Sequence, residues 1–322
     1  MSLASFVYDS NWDAPVFKLL PKNDTGDASG HQSGMVIPIA LRKYFPQLEN
    51  HISGTQPTVD LRIPVILCLN GSEVARVSTR YQMQTWGGTR RPETRLTDNL
   101  TPLLNHAKAG DYLLIQRNIT LPHLYRLTIV SKTSDDYVEL QRSVGNARWG
   151  VLGDITPVSD VEIEEAQLEE REREASTFEL FELTARTSET RAVRIARSAV
   201  FKEMVSKAYS NKCAVTGESL RSPDGSYECE AAHIVPRSRL GADDVRNGLA
   251  LTRRLHWAFD KGLFSFDEQR RVIVPDHISS IPENEPLANL SGTPLHEPPE
   301  IQHQAHRSAL QWHRENVLSK HS

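Results

Sequence analysis

The sequence predicts an α+β chain of two globular units, a strand-dominated N-terminal barrel and a mixed C-terminal domain, joined by a helical linker. Three observations carry that expectation. Runs rich in β-branched and aromatic residues fill the first 150 positions, a Glu-rich stretch follows, and a dense run of His, Asn and Asp punctuated by glycines occupies residues 229–264. The 322 residues divide as 1–150, 151–195 and 196–322, in keeping with the roughly 100–200 residues a domain usually takes.

In the first unit, VDLRIPVILCLN (59–70), EVARVSTRYQ (73–82), DYLLIQRN (111–118) and LYRLTIVSK (124–132) read as strands separated by Gly, Pro, Asn or Asp. LRKYF at 41–45 and LTPLLNHAKAG at 100–110 read as short helices, the second closed by Gly110. Residues 160–188 are acidic and rich in helix formers, which predicts an exposed linker helix. In 189–209, Val193, Ile195, Ala196, Ala199, Val200 and Val205 fall near helical spacing, so a second helix is expected to pack on the C-terminal unit. The proline-rich stretch 275–300 predicts an extended connection, and 301–318 a final helix on which His303, His306 and His313 read as a polar face.

Composition excludes several classes. No apolar run approaches the roughly 20 residues that cross a bilayer, and MSLASFVYDSNWD lacks a basic start followed by an apolar stretch, so a cytoplasmic protein is expected. Three cysteines, Cys68, Cys213 and Cys229, are too few for a disulfide framework. The net charge of −4 and pI near 6.3 hide a local excess: Arg76, Arg80, Arg90, Arg91 and Arg95 face the single acid Glu93 within twenty residues. Such a patch can hold phosphate whatever the total, because screening confines surface electrostatics to about 8–10 Å.

CEAAHIVPRSRLGADDVRNGLALTRRLHWAFDKGLF (229–264) carries the chemistry. It predicts a short strand bearing His233, a loop bearing Asn247, and a helix on which His256 and Asp260, four apart, share a face. An imidazole and a carboxylate on one face suit a divalent cation. Phosphodiester hydrolysis needs a base to deprotonate water and a Lewis acid to stabilise charge on phosphate and the leaving oxygen; His233 fits the first role and the ion the second. Gly248 and Gly262 punctuate expected turns where they can take positive φ.

These residues resemble the HNH (ββα-metal) endonuclease family, and within it the branch with an AAHI strand, an NGL(A)L turn and an LHxAFDxGLF helix. The resemblance implies that His233 is the general base, that Asn247 braces the loop or approaches the metal, and that His256 and Asp260 hold the ion. Where many members carry a ligand directly before the base, this chain has Ala232, which leaves Glu230 or water to complete the shell. Thr216 in CAVTGE stands where a zinc knuckle would need a second cysteine, so no structural zinc is expected. The metal is expected to be Mg²⁺, with Mn²⁺ or Ni²⁺ as alternatives.

The segments KNDTG, GHQSG and TWGGTRRPETRLT, within roughly residues 15–117, resemble the effector-type DNA-binding domain of the EcoRII restriction endonuclease, a B3-like pseudobarrel. In that fold two arms grip DNA, which would put Lys22, Asn23, His31 and Gln32 on one arm and Arg90, Arg91 and Arg95 on the other. The residue types agree: Arg pairs with guanine edges, Asn and Gln with adenine. Arg80 belongs to the same basic run, Arg237 or Arg239 is a candidate phosphate contact, and Arg191, Arg194 and Arg197 could touch DNA from the second helix. The expected partner is double-stranded DNA, and since one centre per chain cuts one strand, a homodimer is expected. The reading is a sequence-specific DNA endonuclease of restriction type. Its alternatives are a modification-dependent endonuclease and a DNA-binding regulator whose nuclease unit no longer cuts.

Overall fold

The β-branched and aromatic runs of the first unit become one mixed sheet. A computed structural model describes residues 7, 11–25, 34–48, 52–53, 55–85, 91–182, 190–222 and 227–318. They form two units, Met1–Glu164 with Thr190–Ala196, and Glu165–Glu189 with Arg197–Ser322.

The N-terminal elements are β1 (Val16–Leu19), α1 (Lys22–Thr25), β2 (Met35–Ile37), β3 (Thr58–Leu69), β4 (Ser72–Gln84), β5 (Glu93–Leu96), α2 (Thr101–Leu104), β6 (Tyr112–Arg117), β7 (Tyr125–Val130), α3 (Asp135–Val144) and β8 (Trp149–Val151). The strands make a curled eight-stranded sheet, a half-barrel, in the order β2–β5–β4–β3–β7–β6–β1–β8. Only β3 and β7 pair in parallel. Pro64 lies one residue before the β7 pairing begins at Val65, where a missing N–H costs the ladder nothing on that side. β6 and β7 are buried along their whole length because both faces are covered, and the polar Gln116, Arg117, Arg126 and Thr128 are buried with the apolar residues around them. One face joins the main core, where Phe45 stacks between Tyr81 (4.9 Å between ring centres) and Tyr125 (5.1 Å). The other packs Tyr112, Leu114 and Val130 with Leu140 of α3. The first expected helix is a 3₁₀ turn, Ile39–Tyr44; the second ends at Leu104, six residues before Gly110, which does hold a left-handed φ of 90°.

Between the domain-forming stretches run α4 (Asp160–Glu174) and α5 (Arg191–Ala208). The exposed linker helix expected for the acidic run is only half right. Ile163, Ala166 and Glu170 of α4 are buried, because an Ala–Glu stripe packs on one side while the remaining charges face water.

The C-terminal unit continues with β9 (Glu230–His233), β10 (Gly248–Leu251), α6 (Arg253–Asp260), β11 (Ser265–Phe266), β12 (Val272–Ile273), α7 (Asp276–Ser279), α8 (Glu285–Ala288) and α9 (Arg307–Asn316). Its core gathers Phe201 and Val205 of α5, the β9–β10 hairpin, Leu255 and Phe259 of α6, and Ala309 and Leu310 of α9. The connection at 275–300 is not wholly extended, since it holds α7 and α8.

His313 corrects the polar face expected for the last helix: it is buried, lying flat on Phe259 with ring centres 3.6 Å apart. Its Nε2 donates to Phe259 O at 3.1 Å, and its Nδ1 lies 2.9 Å from Ser265 Oγ. Burial pushes its pKa down to about 4, so this histidine is a neutral packing group.

Candidate active site

A two-stranded hairpin and one helix frame the site. β9 and β10 pair antiparallel with His233 opposite Gly248 and Glu230 opposite Leu251. Strand alternation puts Glu230 and Ala232 on one face and Ala231 and His233 on the other. α6 starts where Thr252 Oγ1 accepts the N–H of Leu255 at 3.4 Å, a serviceable N-cap, and it stops before Gly262, whose φ is 67°. Gly248 departs from expectation. Its φ is −125°, and it must be glycine for space: a Cβ there would lie 2.3 Å from Val205 Cγ2.

His233 stacks on Phe201 of α5, ring centres 3.9 Å apart and planes 14° from parallel. Its Nε2 lies 2.9 Å from Asp243 Oδ1. Asp243 is buried, and its Oδ2 accepts no hydrogen bond yet lies 3.0 Å from Arg237 Nη1 and 3.8 Å from Arg197 Nη2. Those two contacts are therefore electrostatic. Asn247 is fully buried: its Oδ1 accepts Val235 N–H at 2.9 Å, and its Nδ2 donates to Val235 O at 3.1 Å and Ala242 O at 2.8 Å. Every hydrogen of that amide group has a backbone partner, so the side chain ties the end of β9 to the returning loop.

His256 lies between two carboxylates. Its Nδ1 is 3.1 Å from Glu230 Oε2, its Nε2 is 3.5 Å from Asp260 Oδ2, and Glu230 also takes Arg253 Nε at 2.9 Å. Ala232 is wholly buried in the core, so the position preceding His233 offers no ligand; two residues earlier and on the same face, Glu230 does. Among the described residues no group of three or more His, Cys, Asp or Glu is gathered as a metal cluster. The two carboxylates meet opposite nitrogens of the ring, so His256 could share a divalent cation with Asp260 through Nε2 or with Glu230 through Nδ1, a donor pair whose chemistry suits such an ion.

In the N-terminal unit, Lys22 and Asn23 are exposed on α1, and Arg91 is exposed. Arg80 is paired with Asp60 (Nε–Oδ2 3.0 Å) and Arg95 with Glu93. His31, Gln32 and Arg90, like Trp86, lie outside the described residues. The α1 turn bearing Lys22 and Asn23 is rooted by Lys18, whose ammonium donates to Asp24 and to Val36 O with both side chains buried. Burial pulls the Lys18 pKa below the ordinary lysine value, with Asp24 opposing the shift. Of the arginines on α5, Arg194 is exposed, Arg191 pairs with Asp13 at 3.6 Å, and Arg197 is buried and so removed from any DNA surface.

Sequence reasoning missed Asp243, Phe201 and the Lys18–Asp24 root. For Asp243 a signal existed: two consecutive aspartates four and three residues before Asn247, in a segment otherwise apolar or glycine-bearing. Phe201 gave none, since its stacking depends on an element distant in sequence.

Residues 213–267 match the model of a family described as HNH endonuclease. No curated protein matches the chain. Among solved structures, the modification-dependent TagI restriction endonuclease is 23% identical with a TM-score of 0.31, over 37% of this chain and 38% of TagI, so this chain spans well under half of that protein. The N-terminal domain of Helicobacter pylori LlaJI.R1 is 10% identical with a TM-score of 0.30, over 44% of this chain and 98% of that one. The B3 domain of the UbaLAI restriction endonuclease, solved with cognate DNA, is 15% identical with a TM-score of 0.30, over 49% and 89%. At these TM-scores no residue correspondence follows. Among the described residues no helix is long and apolar enough to cross a membrane.

Proposed function

We propose that this chain is a sequence-specific DNA endonuclease of restriction type, in which the N-terminal unit reads the target and the 213–267 segment hydrolyses the phosphodiester bond. The observation that carries the reading is His233 on the hairpin strand with one ring nitrogen engaged by Asp243, in a segment that matches the HNH endonuclease family.

In this scheme His233 Nδ1 takes the proton of the attacking water, and the proton leaves on the imidazolium. Asn247 holds the end of β9 so that the ring keeps its place. His256 with Asp260 or Glu230 would hold a divalent cation, which supplies Lewis-acid stabilisation of the charge developing on phosphate and leaving oxygen. Lys22, Asn23 and Arg91 would meet DNA from the N-terminal unit, joined by His31, Gln32 and Arg90. Arg80 and Arg95 would have to leave their carboxylate partners to do so, which ranks them lower as base readers. Two copies acting on opposite strands would make a double-strand break.

The test is cleavage of unmodified and methylated plasmid in Mg²⁺ and in Mn²⁺, with His233→Ala alongside. Discrete fragments from the native chain, with the rate lowered about 10²–10⁴-fold in the variant as loss of a general base requires, support the reading. Cutting of methylated DNA alone would make the enzyme modification-dependent. Intact DNA in every condition with tight binding would make it a non-cutting regulator, a reading that the buried Ala232 favours.

A further inference from the structure

We propose that Asp243 is a positioning residue for hydrolysis, fixing His233 with its proton on Nε2 and its lone pair on Nδ1, and that the acidic segment before the nuclease motif supplies the frame that holds Asp243. The proposal rests on the nuclease reading above and adds to it the device that orients the base.

A neutral imidazole carries one proton, and the hydrogen bond at one nitrogen decides which nitrogen is free to act as a base. A carboxylate can only accept, so Asp243 Oδ1, 2.9 Å from Nε2, selects the Nε2–H form and leaves Nδ1 available. When water gives its proton to Nδ1, the resulting imidazolium lies against a carboxylate in a buried setting, where the charge pair is strong. Phe201, stacked on the ring at 3.9 Å, fixes its plane. The ring is thus held both in rotation and in tautomer.

Asp243 would do none of this if its loop moved, and the loop is held from the segment that the sequence presented as a solvated linker. Arg173 of α4 donates to the carbonyl of Asp243 at 2.7 Å and also to Glu182 Oε1 at 2.8 Å. Glu170 Oε1 accepts Val245 N–H at 2.9 Å. Arg246 reaches back to Arg173 O at 2.6 Å and Ser176 O at 3.0 Å. Arg197, whose guanidinium nears Asp243, is itself held by Glu182 at 2.9 Å and Glu169 at 3.3 Å. These contacts, all drawn from one unit, fix the backbone of the loop at and beside Asp243. An ion cluster serving stability alone would have no reason to end on a histidine ring that remains one-fifth exposed, its side chain at 19%.

The test reads the ring directly. Long-range ¹H–¹⁵N spectra of the ¹⁵N-labelled full chain report which nitrogen of each imidazole carries the proton, and His233→Ala identifies the His233 signals among the twelve histidines. The native protein should show the Nε2–H form. Asp243→Asn, whose amide can donate to Nε2, should shift the population towards Nδ1–H. In single-turnover cleavage the same variant should lose on the order of 10²- to 10⁴-fold in rate, as loss of a carboxylate that holds a general base in its working tautomer does, while its Kd for the same DNA stays within about twofold. A native His233 protonated on Nδ1 overturns the proposal without recourse to any variant, and so does an Asp243→Asn protein that cuts at the native rate. Native protein that leaves all DNA intact sinks the nuclease reading and the role of base with it, while the spectrum still decides whether Asp243 fixes the ring.

Discussion

In the N-terminal unit a buried aspartate, Asp24, is met by Lys18 six residues before it, inside the turn it stabilises. In the C-terminal unit a buried aspartate, Asp243, is met by Arg237 six residues before it, and also by Arg197 of α5, while its backbone is held by Arg173 of α4. The first is a local device that roots one arm. The second is non-local, and it makes the geometry of His233 depend on three separate stretches of chain. On the roles proposed above, a recognition arm tolerates local anchoring because its target supplies the remaining order on binding, whereas a general base must be in place before substrate arrives.

The largest stability effect should come from breaking the local device. Asp24→Ala leaves a buried ammonium without its partner, and melting of the N-terminal unit should reveal a loss of about 3–5 kcal/mol; Lys18→Met with Asp24→Leu, which removes both charges, should recover most of it. If the single variant melts like the native chain, the root is not holding the arm.

A smaller loss is expected at Asn247, and it separates two roles. Asn247→Asp keeps the shape but turns the two donors facing Val235 O and Ala242 O into acceptors, so the brace should fail with a loss of about 2–3 kcal/mol in melting of the C-terminal unit. Were Asn247 instead a metal ligand, the carboxylate would bind a cation better and Mn²⁺ would raise the melting temperature of the variant more than that of the native chain.

A third effect varies with pH. Burial, followed by the neighbouring Asp244, raises the Glu170 pKa from 4.5 to about 8. Between those values the folded state keeps a proton that the unfolded chain has released, so this group costs stability as pH rises through that window. Glu170→Gln retains an acceptor for Val245 N–H and removes the titration. Its melting temperature relative to native should be near zero or negative at pH 4, climb between about pH 4.5 and pH 8, and level off above that. A difference that stays flat across the range would mean that Glu170 titrates normally.

Much of both units is legible in the sequence because it depends on local pattern. The runs rich in β-branched and aromatic residues became β3, β4, β6 and β7, and His256 and Asp260 four apart on α6 do share a face. What could not be read depends on partners distant in the chain. Glu170 and Arg197 look like solvated charges until α4 and α5 pack over the 243–246 loop. His313 looks like part of a polar face until Phe259 lies beneath it. Gly248 looks like a turn glycine, whereas its reason is the closeness of Val205 and Phe201, which no spacing rule encodes.

The division of labour between the units is tested most directly by measuring binding and cutting on one DNA fragment that the native full-length chain cleaves, for His233→Ala and for Lys22→Ala with Asn23→Ala. The first variant should bind with the native Kd and fail to cut. The second should bind at least about 30-fold more weakly, since each of the two lost contacts costs about 1–3 kcal/mol, and should approach the native single-turnover rate once protein saturates the DNA. Loss of cutting at saturation in the second variant, or loss of binding in the first, would contradict the assignment of reading to one unit and cleavage to the other.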